Sequence, residues 1–327
     1  MQDAAQDIGA ARDARIVARD IHHVYKGGTV ALDGVDLEVG TGLFGLLGPN
    51  GAGKSTLMRI LCTLLVPTSG SATVGGHDVV RERKAVRGMI GYLPQEFGAW
   101  RLHRVEEVLD TLALLSGLAD KSVRRKRVAE VLQSVGLQDV GHRKVKKLSG
   151  GMVRRLGVAQ ALVHAPQVLI VDEPTVGLDP EERLRFRQLM ASLGQDRVIL
   201  LSTHIVADLG SGCRDLALID DGKIAFRGSP ATLVEQAKGK VFETLVSVDG
   251  EQRLGPDIEV VSRTREGVGL RIRGVVGAGG LPEGATPVET PTLEEGYLAF
   301  MAARGRADVA LADEKPAEDA AAEEEKQ

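Results

Sequence analysis

The stretch GLFGLLGPNGAGKST, residues 42–56, leaves few folds open. A short apolar run opens directly into Gly48-Pro49-Asn50-Gly51-Ala52-Gly53-Lys54-Ser55, and apolar residues at helical spacing follow in STLMRILCTLL. This is the full G-x-x-x-x-G-K-[ST] pattern, placed where that pattern needs to be, between a strand and a helix. Glycines let backbone amides curl inward around phosphate oxygens. A helix starting near Lys54 adds a partial positive charge at its N-terminus. Lys54 is expected to reach the β- and γ-phosphates and Ser55 to ligate Mg²⁺. A strand–turn–helix with glycines only for tight packing is the plainer alternative, and the flanking context argues against it.

The rest of the chain reads as a sheet built around that loop. RIVARDIHHVY and TVALDGVDLEV alternate as two strands with a Gly-Gly turn between them, and residues 71–95 read as short strands with turns. Residues 103–147 carry helical apolar faces. QVLIVDE (167–173), RVILLST (197–203) and DLALID (215–220) have the length and branching of buried parallel strands, with helical patterns at 181–194 and 205–211 between them. Alternation of this kind gives an α/β fold with a parallel sheet and right-handed crossovers. Beyond about Lys238 the texture changes to three alternating strands and a closing helix in TLEEGYLAFMAARG. The expected division is therefore a disordered leader (1–14), a main domain (15–238), a small α+β domain (239–304) and an acidic Ala/Glu-rich tail (305–327) that either frays as helix or stays disordered.

VLIVDEPT ends an apolar strand in two carboxylates, Asp172 and Glu173. Burying both is costly without partners. Mg²⁺ would satisfy Asp172, directly or through water. Side chains alternate along a strand, so Glu173 is expected to point elsewhere and to orient or deprotonate an attacking water. His204 follows the next strand, where a γ-phosphate contact is expected. KKLSGGMVRR (146–155) holds a second glycine turn, Gly150-Gly151 behind Ser149, with no lysine of phosphate-loop type.

Composition restricts the function classes. The formal charge of the 327 residues is −4. Residues 307–327 hold eight acids and two lysines, a local balance of −6, which leaves +2 for everything else. A nearly neutral body argues against general nucleic-acid binding. Cys62 and Cys213 lack metal-ligand spacing and read as buried thiols of a reducing compartment. No apolar run approaches the ~18 residues of a membrane span, and no signal peptide is evident, so a cytoplasmic protein is expected. KSVRRKR (121–127) and HRKVKK (142–147) are basic clusters, read first as solvated surface and second as a membrane or partner face.

Taken together and in this order, the phosphate loop 48–56, Gln95 in YLPQEFG, LSGG 148–151, VLIVDEPT 168–175, GLDP 177–180 and His204 resemble the nucleotide-binding subunit of an ATP-binding cassette (ABC) transporter over roughly residues 16–238. The resemblance implies a phosphate-loop NTPase cassette with a RecA-like core, an N-terminal antiparallel β subdomain and a helical signature subdomain at about 100–160. It implies two ATP molecules sandwiched in a head-to-tail dimer of cassettes, most simply a homodimer, and a separate membrane permease that holds the protein peripherally at the inner face of the cell membrane. Tyr25 would stack on adenine. Asn50, Gly51, Ala52, Gly53, Lys54, Ser55 and Thr56 would hold phosphates and Mg²⁺, and Gln95 and Asp172 would complete the metal shell. Glu173 would be the base and His204 the γ-phosphate contact. Ser149, Gly150 and Gly151, with Asp179 on a crossing loop, would serve the nucleotide of the opposite subunit. A finer similarity is to ATPases of bacterial ABC-2-type drug and antibiotic exporters, such as those of daunorubicin resistance, and it implies export of a drug, antibiotic or lipid-like compound. A soluble cassette ATPase acting on nucleic acid or ribosomes is the competing class. Such proteins usually carry two cassettes or a long coiled-coil insertion, and this chain has neither. Met152 stands where much of the wider family has Gln.

Overall fold

A computed structural model describes residues 15–306 apart from 97, 99, 211, 248–256, 268 and 278. The expected leader and nearly all of the expected tail lie outside the described residues. The chain divides between Pro230 and Ala231 into two compact units.

The first unit holds two sheets. The antiparallel one is formed by β1 (Ile16–Val24), β2 (Val30–Val39), β4 (Ser69–Val74) and β5 (His77–Asp78), in the order β2-β1-β4-β5. Its inward residues, among them Ile16, Ala18, Ile21, Leu32, Val35 and Leu37, are fully buried, following strand alternation except at the three-residue steps Ala18–Ile21 and Leu32–Val35, where the β1–β2 register is irregular. The larger sheet comprises β3 (Gly42–Leu47), β6 (Ile90–Leu93), β7 (Val168–Asp172), β8 (Val198–Thr203), β9 (Cys213–Asp220) and β10 (Lys223–Gly228), in the order β10-β9-β3-β8-β7-β6. All pairs are parallel except β9–β10, which closes one edge as an antiparallel hairpin. The sheet is therefore mixed. The turn Asp221-Gly222 is only two residues long, too short for a parallel crossover.

Every residue of β7 and β8 is buried, which explains their unbroken Val/Leu/Ile runs. The helices of this unit are α1 (Lys54–Leu61), α2 (Arg83–Met89), α3 (Val105–Leu115), α4 (Lys121–Ser134), α5 (Gly150–Leu162) and α6 (Pro180–Leu193). Helix α2 lies within the region expected to hold only strands. It has a single fully covered apolar residue, Val86, too weak a periodicity to read. The helix expected at 205–211 shrinks to a 3₁₀ turn at Val206–Asp208.

Register decides where the site falls. Leu47 pairs with Thr203 between β3 and β8, and Asp172 pairs with Ser202 between β7 and β8. The carboxyl ends of three adjacent parallel strands thus emerge side by side, the place where open α/β sheets bind ligands.

The second unit, described by itself, has the sheet order β12-β13-β11-β14, from β11 (Val241–Ser247), β12 (Ile258–Glu266), β13 (Gly269–Val276) and β14 (Thr286–Pro287). It begins earlier than the texture change suggested, because α7 (Pro230–Glu235) belongs with it. Leu233 is fully buried, and its carbonyl lies 3.1 Å from where a side chain on Gly296 of α8 (Leu293–Ala302) would begin.

Candidate active site

The apolar β3 delivers its end into the glycine loop, and α1 leaves it at Lys54. Gly53 adopts φ 106°, and a Cβ there would stand 2.5 Å from the carbonyl oxygen of Ala31, so only glycine fits. The loop is pinned from behind: Gly48 N–H donates to Thr203 O (3.3 Å), and Gly222 N–H donates to Ala52 O (3.1 Å). Tyr25, Asn50, Gly51, Gly53, Lys54, Ser55, Thr56, Gln95 and Glu173 line one cleft of about 430 Å³ together with Thr29, Val30 and Ala31. Ala52 is buried beneath it.

Lys54 is nearly inaccessible, 4% exposed, and every proton of its ammonium has an acceptor. These are Gly48 O at 2.7 Å, Pro49 O at 2.9 Å and Glu173 Oε1 at 3.0 Å. The other carboxylate oxygen of Glu173 lies 2.9 Å from His204 Nδ1. A carboxylate can only accept, so Nδ1 carries the proton. Burial pushes the Glu173 carboxyl upward, but the hydrogen bond from His204 and the charge and hydrogen bond of Lys54 outweigh it and hold the group below its ordinary value. Glu173 is therefore an anion clamped at both oxygens.

Asp172 and Glu173 separate by the strand ending rather than by its pleat. Asp172 is the last residue of β7, and Glu173 turns into the left-handed region at φ 43°. For a non-glycine residue that conformation is uncommon and is held here by its surroundings. The Glu173 amide donates to Ser202 (Oγ, 3.2 Å; O, 3.2 Å). Asp172 is buried behind the cleft, its Oδ1 accepting from Ser202 Oγ at 2.5 Å. Ser202 thus ties both acids to β8, a role with no signal in the sequence beyond its place two residues before His204. Asp208 was equally unreadable. Buried, it accepts from Thr175 and, at 2.9 Å, from Thr203, so it joins the segment after β7 to the segment after β8.

The oxygen donors of Ser55, Gln95 and Asp172 suit a hard divalent cation. Among the described residues no cluster of three or more His, Cys, Asp or Glu side chains forms a ready-made cage. Such a donor set fits Mg²⁺ that keeps water and phosphate in its shell.

Tyr25 projects over the loop, its hydroxyl 3.0 Å from Thr56 Oγ1 and its ring edge-on to His23 (centroids 4.7 Å apart). One ring face is therefore not given up to His23.

Ser149, Gly150, Gly151 and Asp179 do not line this cleft. Ser149 caps α5, accepting from Met152 N–H at 3.2 Å, and leaves its own proton to donate outward. Asp179 caps α6 in the same way, accepting from Glu182 N–H at 2.9 Å. A Cβ on Gly151 would meet the Glu182 carboxylate at 2.2 Å, so α5 and α6 approach there as closely as glycine permits. The arginine pair behind the turn has definite roles. Arg155 donates to Gly136 O (3.0 Å) and Val135 O (3.3 Å) and pairs with Glu182 (3.5 Å). Arg154 donates to Gln95 O at 2.6 Å.

Of the two basic clusters, 121–127 is partly structural. Arg124 is buried, bonded to Asp110 at 2.9 Å and to Ala119 O at 2.7 Å. Arg127 closes the end of α5 through Leu162 O and Val163 O. Both cysteines are buried thiols, and burial pushes Cys213 up to about 11.

Residues 32–176 match the family described as ABC transporter. The chain is 33% identical over 279 residues to the probable multidrug ABC transporter ATP-binding protein YbhF of Escherichia coli, covering 82% of this chain and 48% of that protein, so it spans about half the length of that relative. It is 40% identical over 240 residues to the doxorubicin resistance ATP-binding protein DrrA of Mycobacterium tuberculosis, covering 72% of each. Among solved structures it is similar to the bacterial ABC transporter cassette MJ0796, described as dimeric, with 25% identity and a TM-score of 0.60 over 65% of this chain and 98% of that one.

Proposed function

Because the chain belongs to the family of ABC transporter ATP-binding proteins, we propose that it hydrolyses ATP in the cleft between Tyr25 and Glu173 and thereby powers a separate membrane permease. The observation that carries this reading is the buried Glu173, held between Lys54 at 3.0 Å and His204 at 2.9 Å at the mouth of a phosphate loop.

The adenine would lie against Tyr25, and the triphosphate would lie in the amides of Asn50, Gly51, Ala52 and Gly53, with Thr56 beside them. Mg²⁺ bound by Ser55, Gln95 and, directly or through water, Asp172 would neutralise charge on the phosphate oxygens. Lys54 has no free proton in this structure, so donating to a phosphate requires it to release an acceptor. Releasing Glu173 uncovers Oε1 and removes the nearest positive charge, which makes the carboxylate more basic. Oε1 then takes a proton from water as the water oxygen attacks the γ-phosphorus and the bond to the bridging oxygen breaks, giving ADP and phosphate. His204 keeps Oε2 fixed meanwhile.

Ser149, Gly150 and Gly151 have no phosphate to hold within their own chain. We assign them, with Asp179, to the nucleotide of a second cassette in a head-to-tail dimer, which closes on ATP and reopens after hydrolysis. The dimeric state of the similar cassette supports this arrangement. The relatives named for multidrug transport and doxorubicin resistance support a drug or antibiotic as the cargo, and we extend this, from the sequence resemblance alone, to export of such a compound or a lipid-like one through an ABC-2-type permease. Among the described residues no helix is long and apolar enough to cross a membrane. We accordingly place the protein peripherally, on the cytoplasmic face, through that permease.

The test is Glu173→Gln. ATP-dependent dimers should accumulate on size-exclusion chromatography while phosphate release falls by roughly 10²–10⁴-fold. Hydrolysis at the wild-type rate would remove Glu173 as the base.

A further inference from the structure

Gln95 sits between two clefts. It lines the 430 Å³ cleft of the phosphate loop, and it also lines a second cleft of about 750 Å³ with Gly150, Val153 and Arg154 of α5, Lys146 and Leu178. One side-chain hydrogen bond spans the second cleft at this point, from Arg154 Nη1 to the carbonyl oxygen of Gln95 at 2.6 Å. The two residues are 59 positions apart. Among the described residues Arg154 makes no ion pair, so this carbonyl is its defined partner rather than a by-product of a salt bridge. A charged donor at that distance is one of the stronger kinds of hydrogen bond.

The neighbouring Arg155 is used differently. It is held by the carbonyls of Val135 and Gly136 and by Glu182, all within the helical region and α6. Arg155 therefore fixes α5 in its own surroundings, whereas Arg154 reaches out of them to the segment that follows β6.

We propose that Arg154 is a positioning residue that couples the two nucleotides of the dimer, by tying the Gln95 segment, which faces the chain's own nucleotide, to the helix whose first turn faces the partner's nucleotide. The inference rests on the shared-nucleotide dimer of the preceding section. When Ser149 and Gly151 engage the opposite phosphate, α5 is drawn toward it, and the Gln95 carbonyl follows the guanidinium. The Gln95 amide is thereby placed at its own Mg²⁺ only when the partner site is filled. Two sites linked in this way turn over cooperatively.

The test uses the full chain with Arg154→Met, which keeps a long stem in the cleft and removes the donor, and Arg154→Lys, which restores one donor. Binding of a fluorescent ATP analogue to the isolated chain should stay within twofold in both. Wild type should hydrolyse ATP with a Hill coefficient approaching 2. The Met variant should fall to a Hill coefficient near 1 with kcat down roughly tenfold, and the Lys variant should recover most of both. A Met variant with wild-type cooperativity, or one that loses binding and turnover in equal proportion, overturns the proposal. Should the Met variant fail to fold in a thermal melt, Arg154→Gln, which is too short to reach the Gln95 carbonyl, takes its place with the same expected fall of the Hill coefficient to near 1, and wild-type cooperativity in it overturns the proposal. The failures are separable. If the shared-site dimer is wrong, Glu173→Gln yields no ATP-dependent dimer. If only Arg154 is misassigned, that dimer forms and the Met variant still hydrolyses cooperatively.

Discussion

His204 Nδ1 lies 2.9 Å from Glu173 Oε2, so the histidine after β8 grips the acid after β7 rather than standing alone at its strand end. The contact joins two segments that leave neighbouring strands at the same level, and it accounts for part of the lowering of the Glu173 pKa. Replacing the histidine leaves burial, the largest influence on this carboxyl, less opposed. In His204→Ala the acid limb of the kcat/KM profile for ATP is therefore expected to move to higher pH, as a base that must be deprotonated becomes harder to ionise. An unmoved limb, with turnover alone reduced, would mean that the histidine does not set the basicity of Glu173.

Lys54 and Glu173 should be thermodynamically coupled before any nucleotide arrives. Removing either one leaves the other buried with a lost partner, whereas removing both leaves no orphaned charge. A double-mutant cycle of Lys54→Met and Glu173→Gln, read by denaturant unfolding without nucleotide, is expected to give a coupling energy of about 1–3 kcal/mol.

The close approach at Gly151 makes a different prediction. In Gly151→Ala the new methyl must displace the Glu182 carboxylate, which is held by Arg155 at 3.5 Å and Arg185 at 3.0 Å. Overpacking of this kind costs about 1–3 kcal/mol. Thermal unfolding of Gly151→Ala/Glu182→Ala should recover much of the lost stability. Recovery of stability without recovery of turnover would show that the glycine also serves a close approach of the opposite nucleotide.

The second unit has its own electrostatic fastening. Glu295 is almost wholly buried, receives Arg273 at both oxygens and accepts from Thr292 N–H at 2.6 Å. Burial pushes its carboxyl up, but Arg273 and the Thr292 amide outweigh that and hold it below the ordinary value of 4.5. Its stabilisation is therefore complete above that value and lost as pH falls through the lowered folded one. Glu295→Gln should cost about 3 kcal/mol at pH 7. Tm differences between variant and wild type should shrink as melts are repeated at progressively lower pH. A difference independent of pH would assign the effect to packing instead.

Much of the site was legible because its chemistry is local in sequence. The spacing from Gly48 to Ser55, the acids closing an apolar strand and the serine before a glycine pair each belong to a single strand, loop or helix start. Helix α2 leaves no such signal for the converse reason: one buried valine gives no periodicity. The start of the second unit was set by Leu233 packing beside Gly296, a contact across more than sixty residues that leaves composition unchanged. Ser202 and Asp208 are ordinary polar residues until the sheet places them beside Asp172 and Thr175.

Residue type and spacing alone specify the glycine loop, the buried parallel strands, the paired acids and a second glycine turn without a lysine, since each is local to a few turns of backbone. It takes the folded chain to place Lys54 against Gly48, Pro49 and Glu173, His204 on the other side of that acid, and Arg154 on Gln95 while Arg155 stays within its own region. Apart from the local contacts of Lys54 with Gly48 and Pro49, these contacts join residues 19 to 119 positions apart. They depend on strand order and register, which bring distant polar atoms within 3 Å and leave no periodic trace along the chain.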